Sequence, residues 1–263
     1  MGTVNRNVLF GAHDNFEPRI KARIDKERYD CVFAGIETVD LTTYDFIVPL
    51  LFKNYASLDK QSDEIRRRSI YPNRAVVELC HDKLQFNKLI ASSPFSGTIP
   101  PLLEEPNPSI PFILKRSKDS SGSNSHLILS ENDRTKFRDL MQHTDYFKQI
   151  YVSGAQEHTT HILLRDREPL YHLNVTYHMQ ENQYIKGKNS ASPKKTTLSK
   201  DDLDLGLFLD ILEFIGFENG TCCFNYKYID GKIAILELNP RFGSSLIQDI
   251  NTYLEFYGRA IGL

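Results

Sequence analysis

Apolar residues fall in short unbroken runs through the first 70 positions and then change to helical spacing. Val8-Leu9-Phe10 and Cys31-Val32-Phe33-Ala34 are continuous apolar runs, the pattern of strands buried on both faces of a parallel sheet. Between them, residues 18–28 are charged, open on Pro18 and place Ile20 and Ile24 four apart, which predicts a short amphipathic helix. Phe46-Ile47-Val48-Pro49-Leu50 predicts a third strand stopped by Pro49. Together these make a small β-α-β arrangement.

Residues 74–93 carry Val76, Val77, Leu79, Leu84, Phe86, Leu89 and Ile90 at helical spacing. A break is expected near Cys80-His81-Asp82, with Asp82 capping the second half. Six prolines between positions 94 and 111 rule out a long helix there, so this stretch reads as a connector between lobes. Strands are predicted over 112–116 and 126–129, separated by a Ser/Gly/Asn loop, and a helix over 131–146. A sheet region beginning at Tyr151-Val152 takes in residues 161–165 and 171–178. Residues 186–197 are polar and read as flexible. A helix over 203–215, two strands over 222–229 and 233–238 and a last helix over 253–261 complete the chain, and no internal repeat is visible.

The 263 residues carry 32 Lys+Arg against 34 Asp+Glu, a formal charge of −2. This argues against nucleic acid binding by bulk charge. No apolar run approaches the roughly 20 residues needed to span a bilayer, and the N-terminus lacks the longer apolar region of a signal peptide. A soluble cytoplasmic protein with no membrane partner is therefore expected. Cys31, Cys80, Cys222 and Cys223 lack metal-site spacing and read as reduced core residues.

Phosphate-loop, dinucleotide, nucleophile-elbow and zinc-protease signatures are all absent. Glu157-His158-Thr159-Thr160-His161 resembles a metal motif, but on a strand the two histidines would face opposite sides and could not share an ion. More informative is Glu237-Leu238-Asn239-Pro240-Arg241. Glu237 and Asn239, two apart on a strand, present hard oxygen ligands to one face. Arg241 follows with a fork suited to a carboxylate or phosphate. Lys115 ends an apolar strand and precedes Lys118-Asp119-Ser120-Ser121-Gly122-Ser123-Asn124-Ser125, a loop able to wrap phosphate oxygens.

Through these motifs, residues 75–250 resemble the ATP-grasp superfamily. The resemblance implies an α/β (α+β) fold of two lobes gripping a nucleotide. A shortened parallel-sheet α/β domain over residues 1–72 would precede an ATP-grasp domain over 73–263, with lobes of about 73–150 and 151–263. It implies Lys83 and Lys115 on the nucleotide phosphates, with Ser121, Gly122 and Ser123 in the loop above them. The segment from Gln149 would be the hinge. Backbone groups near Tyr151 and Val152 would hold adenine, and Glu157 would bind the ribose hydroxyls. Glu237 and Asn239 would hold Mg2+, with Mn2+ an acceptable substitute, and Asn225 would take the place of the first metal ligand.

Two positions depart from the family pattern. An acid is usual near position 150, where this chain has Ile150, and Asn225 stands where Asp or Glu is usual. An amide oxygen brings no charge, so a second metal would be weakly held or absent. A two-residue turn at Asp230-Gly231 would put Asn225 and Glu237 on opposite faces. An odd-numbered loop is therefore expected, three residues with Gly231 left-handed.

The implied activity is an ATP-dependent ligase in which a carboxylate takes the γ-phosphoryl group and an amine displaces phosphate. Lys115 and Arg241 would be the catalytic groups, and small carboxylates and amines the partners, with a homodimer left open. A non-catalytic or regulatory ATP-binding module and an ATP-grasp kinase acting on a hydroxyl are the alternatives.

Overall fold

The apolar runs near the N-terminus form β1 (Arg6–Gly11), β2 (Tyr29–Ala34) and β3 (Phe46–Val48), a parallel sheet in the order β2-β1-β3. This is a computed structural model, and it describes residues 5–119, 123–188 and 192–263. Helix α1 (Glu17–Lys21) crosses between the first two strands and is shorter than its charge pattern predicts. Ile20 and Ile24 are nevertheless both buried. After β3 come α2 (Phe52–Leu58) and α3 (Asp63–Arg66).

The predicted helix break is present. α4 (Arg74–His81) and α5 (Lys83–Ala91) meet at Asp82, whose side chain accepts from the Gln85 amide. Past them, the proline-rich stretch contains a two-residue strand, β4 (Leu102–Leu103). It pairs with the edge of a four-stranded antiparallel sheet ordered β4-β7-β5-β6, an edge position where neighbouring prolines are tolerated. The others are β5 (Phe112–Arg116), β6 (His126–Ile128) and β7 (Tyr146–Ile150). The helix expected over 131–146 is two short ones, α6 (Glu131–Lys136) and α7 (Arg138–Gln142). Its last residue, Tyr146, is drawn into β7 opposite Arg116.

The second lobe is a five-stranded antiparallel sheet, β10-β9-β8-β11-β12. Its long strands are β8 (Gln156–Arg165) and β9 (Glu168–His178). β10 (Lys195–Ser199) lies at the edge and overlaps the end of the segment 186–197 expected to be flexible. It opens on the exposed Lys195, and a charged residue at an edge resists further pairing. Helix α8 (Leu205–Phe214) leads into the hairpin β11 (Gly220–Ile229) and β12 (Lys232–Asn239), and α9 (Ile250–Ala260) follows.

Period-two alternation sorts this sheet into two functional faces. Ile162 and Leu164 of β8 and Cys222, Phe224 and Tyr226 of β11 are buried with Phe208, Ile211 and Leu212 of α8. The opposite residues, Glu157, Thr159, His161, Cys223, Asn225 and Lys227, line a cleft. The core of the N-terminal sheet is shared: Val8, Phe10, Phe46 and Val48 cluster with Leu173 and Val175 of β9 and Tyr253, Leu254 and Tyr257 of α9. Tyr257 fixes the contact by donating to the Ile47 carbonyl (2.8 Å) and accepting from the Ile70 amide (2.7 Å). The three-stranded sheet is thereby seated on the second lobe, and the segments that follow β1 (His13, Phe16) and β3 (Leu51, Phe52, Lys53) line the cleft.

Candidate active site

The hairpin loop at Asp230-Gly231 is two residues, both with positive φ (50° and 77°), and Ile229 pairs with Lys232. The expectation of an odd-numbered loop is wrong. A bulge does the work instead. Tyr226 pairs with Ile235 but Asn225 pairs with Glu237, so Leu236 is the extra residue on β12. Without it, Glu237 would share the parity of Ile233 and Ile235 and point into the α8 core. The bulge turns Glu237 and Asn239 onto the cleft face, opposite Asn225, and sends Leu238 into the core.

Glu237 is the centre of the polar network. Asn225 Nδ2 and Asn239 Nδ2 both donate to its Oε1 at 2.9 Å, and Lys83 Nζ lies 3.2 Å from its Oε2. Burial alone would raise its carboxyl, but Lys83, Asn239 and Lys115 outweigh that and hold it down at about 2. Lys115, from the other lobe, donates to Gln149 Oε1 (2.8 Å) and to the bulged Leu236 carbonyl (3.2 Å). Burial lowers its ammonium to about 8, with Glu237 opposing the shift and Lys83 adding to it.

Gln149 is fully buried and its polar atoms are spent on the protein. Besides accepting from Lys115, it donates to Asn87 Oδ1 and the Pro100 carbonyl, both at 2.7 Å. The hinge that follows is braced by Lys227, which donates to the Val152 (3.1 Å) and Gly154 (3.0 Å) carbonyls and lies over the Tyr184 ring. Burial also pushes Lys227 down to about 8. The Tyr151 hydroxyl accepts from the Tyr184 amide (2.9 Å), and Glu157 is ion-paired with Lys186.

Beyond Glu237, the Pro240 carbonyl accepts from the Tyr55 hydroxyl at 2.9 Å, tying the turn to the N-terminal unit. The Arg241 guanidinium reaches the Phe242 carbonyl (3.3 Å) and has no carboxylate within ion-pair distance among the described residues. Below it, His161 Nε2 is 2.7 Å from Ser245 Oγ. Burial drives this imidazole down to about 3. A Cβ at Gly243 would lie 2.5 Å from His161 Cε1, so the chain can pass this close only as glycine. His158 points to the opposite face, against Tyr226 and Tyr228, as the strand reading requires. No cluster of three metal-binding His, Cys, Asp or Glu side chains exists among the described residues.

One cleft of about 1010 Å³ gathers Lys83, Lys115, Gln149, Tyr151, Val152, Glu157, Asn225, Glu237, Asn239 and Arg241. Ser123 is not on its lining; its hydroxyl donates to Asp119 Oδ1 (2.8 Å), which also accepts from Asn124. Ser121 and Gly122 lie outside the described residues. Sequence reasoning missed Lys227, Lys186, His13 and His81 as lining residues. Lys227 had a signal, since it shares the polar parity of Cys223 and Asn225 on β11. Lys186 sits in a loop that gave none.

The charges of the cleft are unbalanced. Its lining carries six cations, Lys53, Lys83, Lys115, Lys186, Lys227 and Arg241, against two carboxylates, Glu157 and Glu237. That field suits a polyanion. The oxygen set around Glu237 offers one charged and two neutral ligands, which fits a single hard cation that takes its remaining ligands from phosphate and water. It does not fit a second all-protein cation site.

No protein-family model and no curated protein matches the sequence. Solved structures do. D-alanine–D-alanine ligase from Bacillus anthracis, complexed with ATP, superposes with a TM-score of 0.60 at 12% identity, over 99% of this chain and 97% of that one. Phosphoribosylamine–glycine ligase from Thermotoga maritima gives 0.64 at 14% identity, over 95% and 75%. N5-carboxyaminoimidazole synthetase from Staphylococcus aureus, complexed with ADP, gives 0.56 at 12%, over 93% and 73%. At these identities the likeness speaks for the fold. The chain has the ATP-grasp fold, preceded by a small parallel-sheet unit.

Proposed function

We propose that the cleft binds Mg-ATP and uses it to join a carboxylate to an amine, releasing ADP and phosphate. The observation that carries this reading is the excess of buried and lining cations around one carboxylate–amide oxygen set, with an arginine just beyond it that has no carboxylate partner among the described residues. The ATP and ADP complexes among the structural neighbours support it.

The proposed roles follow from position. Lys83, ion-paired with Glu237, and Lys115, bonded to the adjacent Leu236 carbonyl, neutralise charge on the transferring phosphoryl group. Glu237, Asn239 and Asn225 would hold Mg2+, which would supply charge neutralisation to the phosphates. Backbone groups at Tyr151 and Val152 hold the adenine, on a hinge stiffened by Lys227. Glu157 reaches the ribose only if it exchanges part of its contact with Lys186. Arg241 orients the substrate carboxylate, which takes the γ-phosphoryl group to become an acyl phosphate. Attack by the amine then expels phosphate.

Lys115 gives the reading a pH signature. Its ammonium ionises near 8 in the free protein, against an ordinary 10.5, so the charge is lost as pH rises through that value. Contact with phosphate favours the protonated form. Mg-ATP binding at pH 8.5 is therefore expected to take up a proton, and affinity to fall as pH rises from 7 to 9.5. Titration calorimetry in two buffers of different ionisation enthalpy reads the uptake. Lys227, which also ionises near 8, adds to the wild-type signal, and Lys115→Met removes the share due to Lys115. Buffer-independent heats and a flat affinity profile would sink the assignment.

A further inference from the structure

The end of the cleft nearest the N-terminal unit is lined by His13, Phe52, His81 and Arg241. His81 is the last residue of α4, two positions before the phosphate lysine Lys83, and its ring packs edge-on against Phe52 at 5.2 Å between centroids. It is half-buried, and neither ring nitrogen has a hydrogen-bond partner among the described residues. The other cleft imidazoles differ. His161 is bonded to Ser245, and His13 stacks flat on Phe16 with centroids 3.7 Å apart. His81 is thus a braced imidazole with free nitrogens, positioned where it feels both Lys83 and Arg241.

We propose that His81 is the base that takes a proton from the attacking amine, and that the acceptor is an ordinary alkyl amine arriving as its ammonium ion. The inference rests on the ligase reading above. An ammonium has no lone pair with which to attack an acyl phosphate. One of its protons passes to the imidazole and later to solvent. The freed nitrogen pair forms the C–N bond, the C–O bond to phosphate breaks, and a second proton leaves with that phosphate. The charged groups around the ring come from every side: Lys83 and Asp82 next in the chain, Lys118 from the loop after β5, and Arg241 after β12. Burial lowers the basicity of His81 first, Lys118, Lys83 and Arg241 lower it further, and Asp82 opposes them. The ring is therefore neutral at pH 7 and able to accept a proton.

Hydroxylamine separates this role from a structural one, because it is already unprotonated at neutral pH and needs no base. With Mg-ATP and a pool of common amino acids and small dicarboxylic acids as carboxylate donors, wild-type protein is expected to form hydroxamate and to release ADP with amines. His81→Gln is expected to lose amine-dependent ADP release by about 100-fold or more at pH 7 while keeping hydroxamate formation within about threefold. The amine deficit should shrink as pH rises toward the ionisation of the free amine. Equal loss with both acceptors, or selective loss in His13→Gln but not in His81→Gln, overturns the assignment alone. No hydroxamate from wild-type protein with any donor overturns the ligase reading and this inference with it.

Discussion

Glu237→Gln is expected to reduce amine-dependent ADP release by about 10³-fold and to abolish the effect of Mg2+ on ATP affinity. The substitution keeps the shape and the oxygen that accepts from Asn225 and Asn239, but turns an amide NH2 toward Lys83 and removes the one negative charge among the proposed metal ligands. ATP without metal is expected to bind the variant at least as well as wild type, since a carboxylate no longer repels the phosphates. Calorimetry with and without Mg2+ reads both effects, and an undiminished Mg2+ dependence would remove Glu237 from the metal site.

Glu237→Ala is the less discriminating variant. Both variants leave Lys83 and Lys115, each 8% exposed, without this counter-charge, and alanine also removes the acceptor of Asn225 and Asn239. Breaking such an arrangement costs roughly 3–5 kcal/mol, and part of any lost activity would be lost fold. The same interaction gives an acid limb to stability. The folded carboxyl titrates near 2, below its ordinary 4.5. Its contribution is therefore complete above about pH 4.5 and lost as pH falls toward 2, on the order of 2 kcal/mol once its partial exposure is allowed for. Glu237→Gln should flatten that limb in acid denaturation followed by circular dichroism.

The second large effect is expected at Gln149. Replacing it by leucine removes the acceptor for Lys115 and the donors for Asn87 Oδ1 and the Pro100 carbonyl. Unsatisfied buried groups of this kind cost about 1–3 kcal/mol each, so a loss of about 2–4 kcal/mol in stability is expected. ATP affinity should fall with it, because Lys115 is then held by the Leu236 carbonyl alone. Gln149→Glu separates the two consequences. It places a negative charge beside Lys115 and should move the pH break of ATP binding upward from about 8, whatever it does to stability. An unchanged break in that variant would mean that Lys115 does not set the profile.

These expectations depend on geometry that the sequence carried unevenly. The break between α4 and α5 was legible because Asp82 is a capping residue set inside a continuous apolar pattern. Glu237, Asn239 and Arg241 were legible because three polar groups at the end of an apolar strand are conspicuous. The bulge at Leu236 was not. It is a choice of backbone, made at a residue that looks like any other apolar strand position, and it reverses which face Glu237 occupies. β4 and β10 were hidden for a related reason: edge strands need little hydrophobic pattern, so prolines and lysines masked them. The seating of the N-terminal sheet on α9 joins residues some 200 positions apart, a pairing that no local pattern encodes.

The chemistry of the bond being made offers the most direct test. Carboxylic acids carrying oxygen-18 in the carboxyl group, pooled as amino acids and small dicarboxylates, would be incubated with the protein, Mg-ATP and an amine. An acyl phosphate leaves one carboxyl oxygen on the phosphate when the amine displaces it. Mass spectrometry is therefore predicted to find inorganic phosphate bearing one heavy oxygen, in a one-to-one ratio with ADP. ADP accompanied only by unlabelled phosphate, or a product that has gained a phosphoryl group on a hydroxyl, would contradict the account.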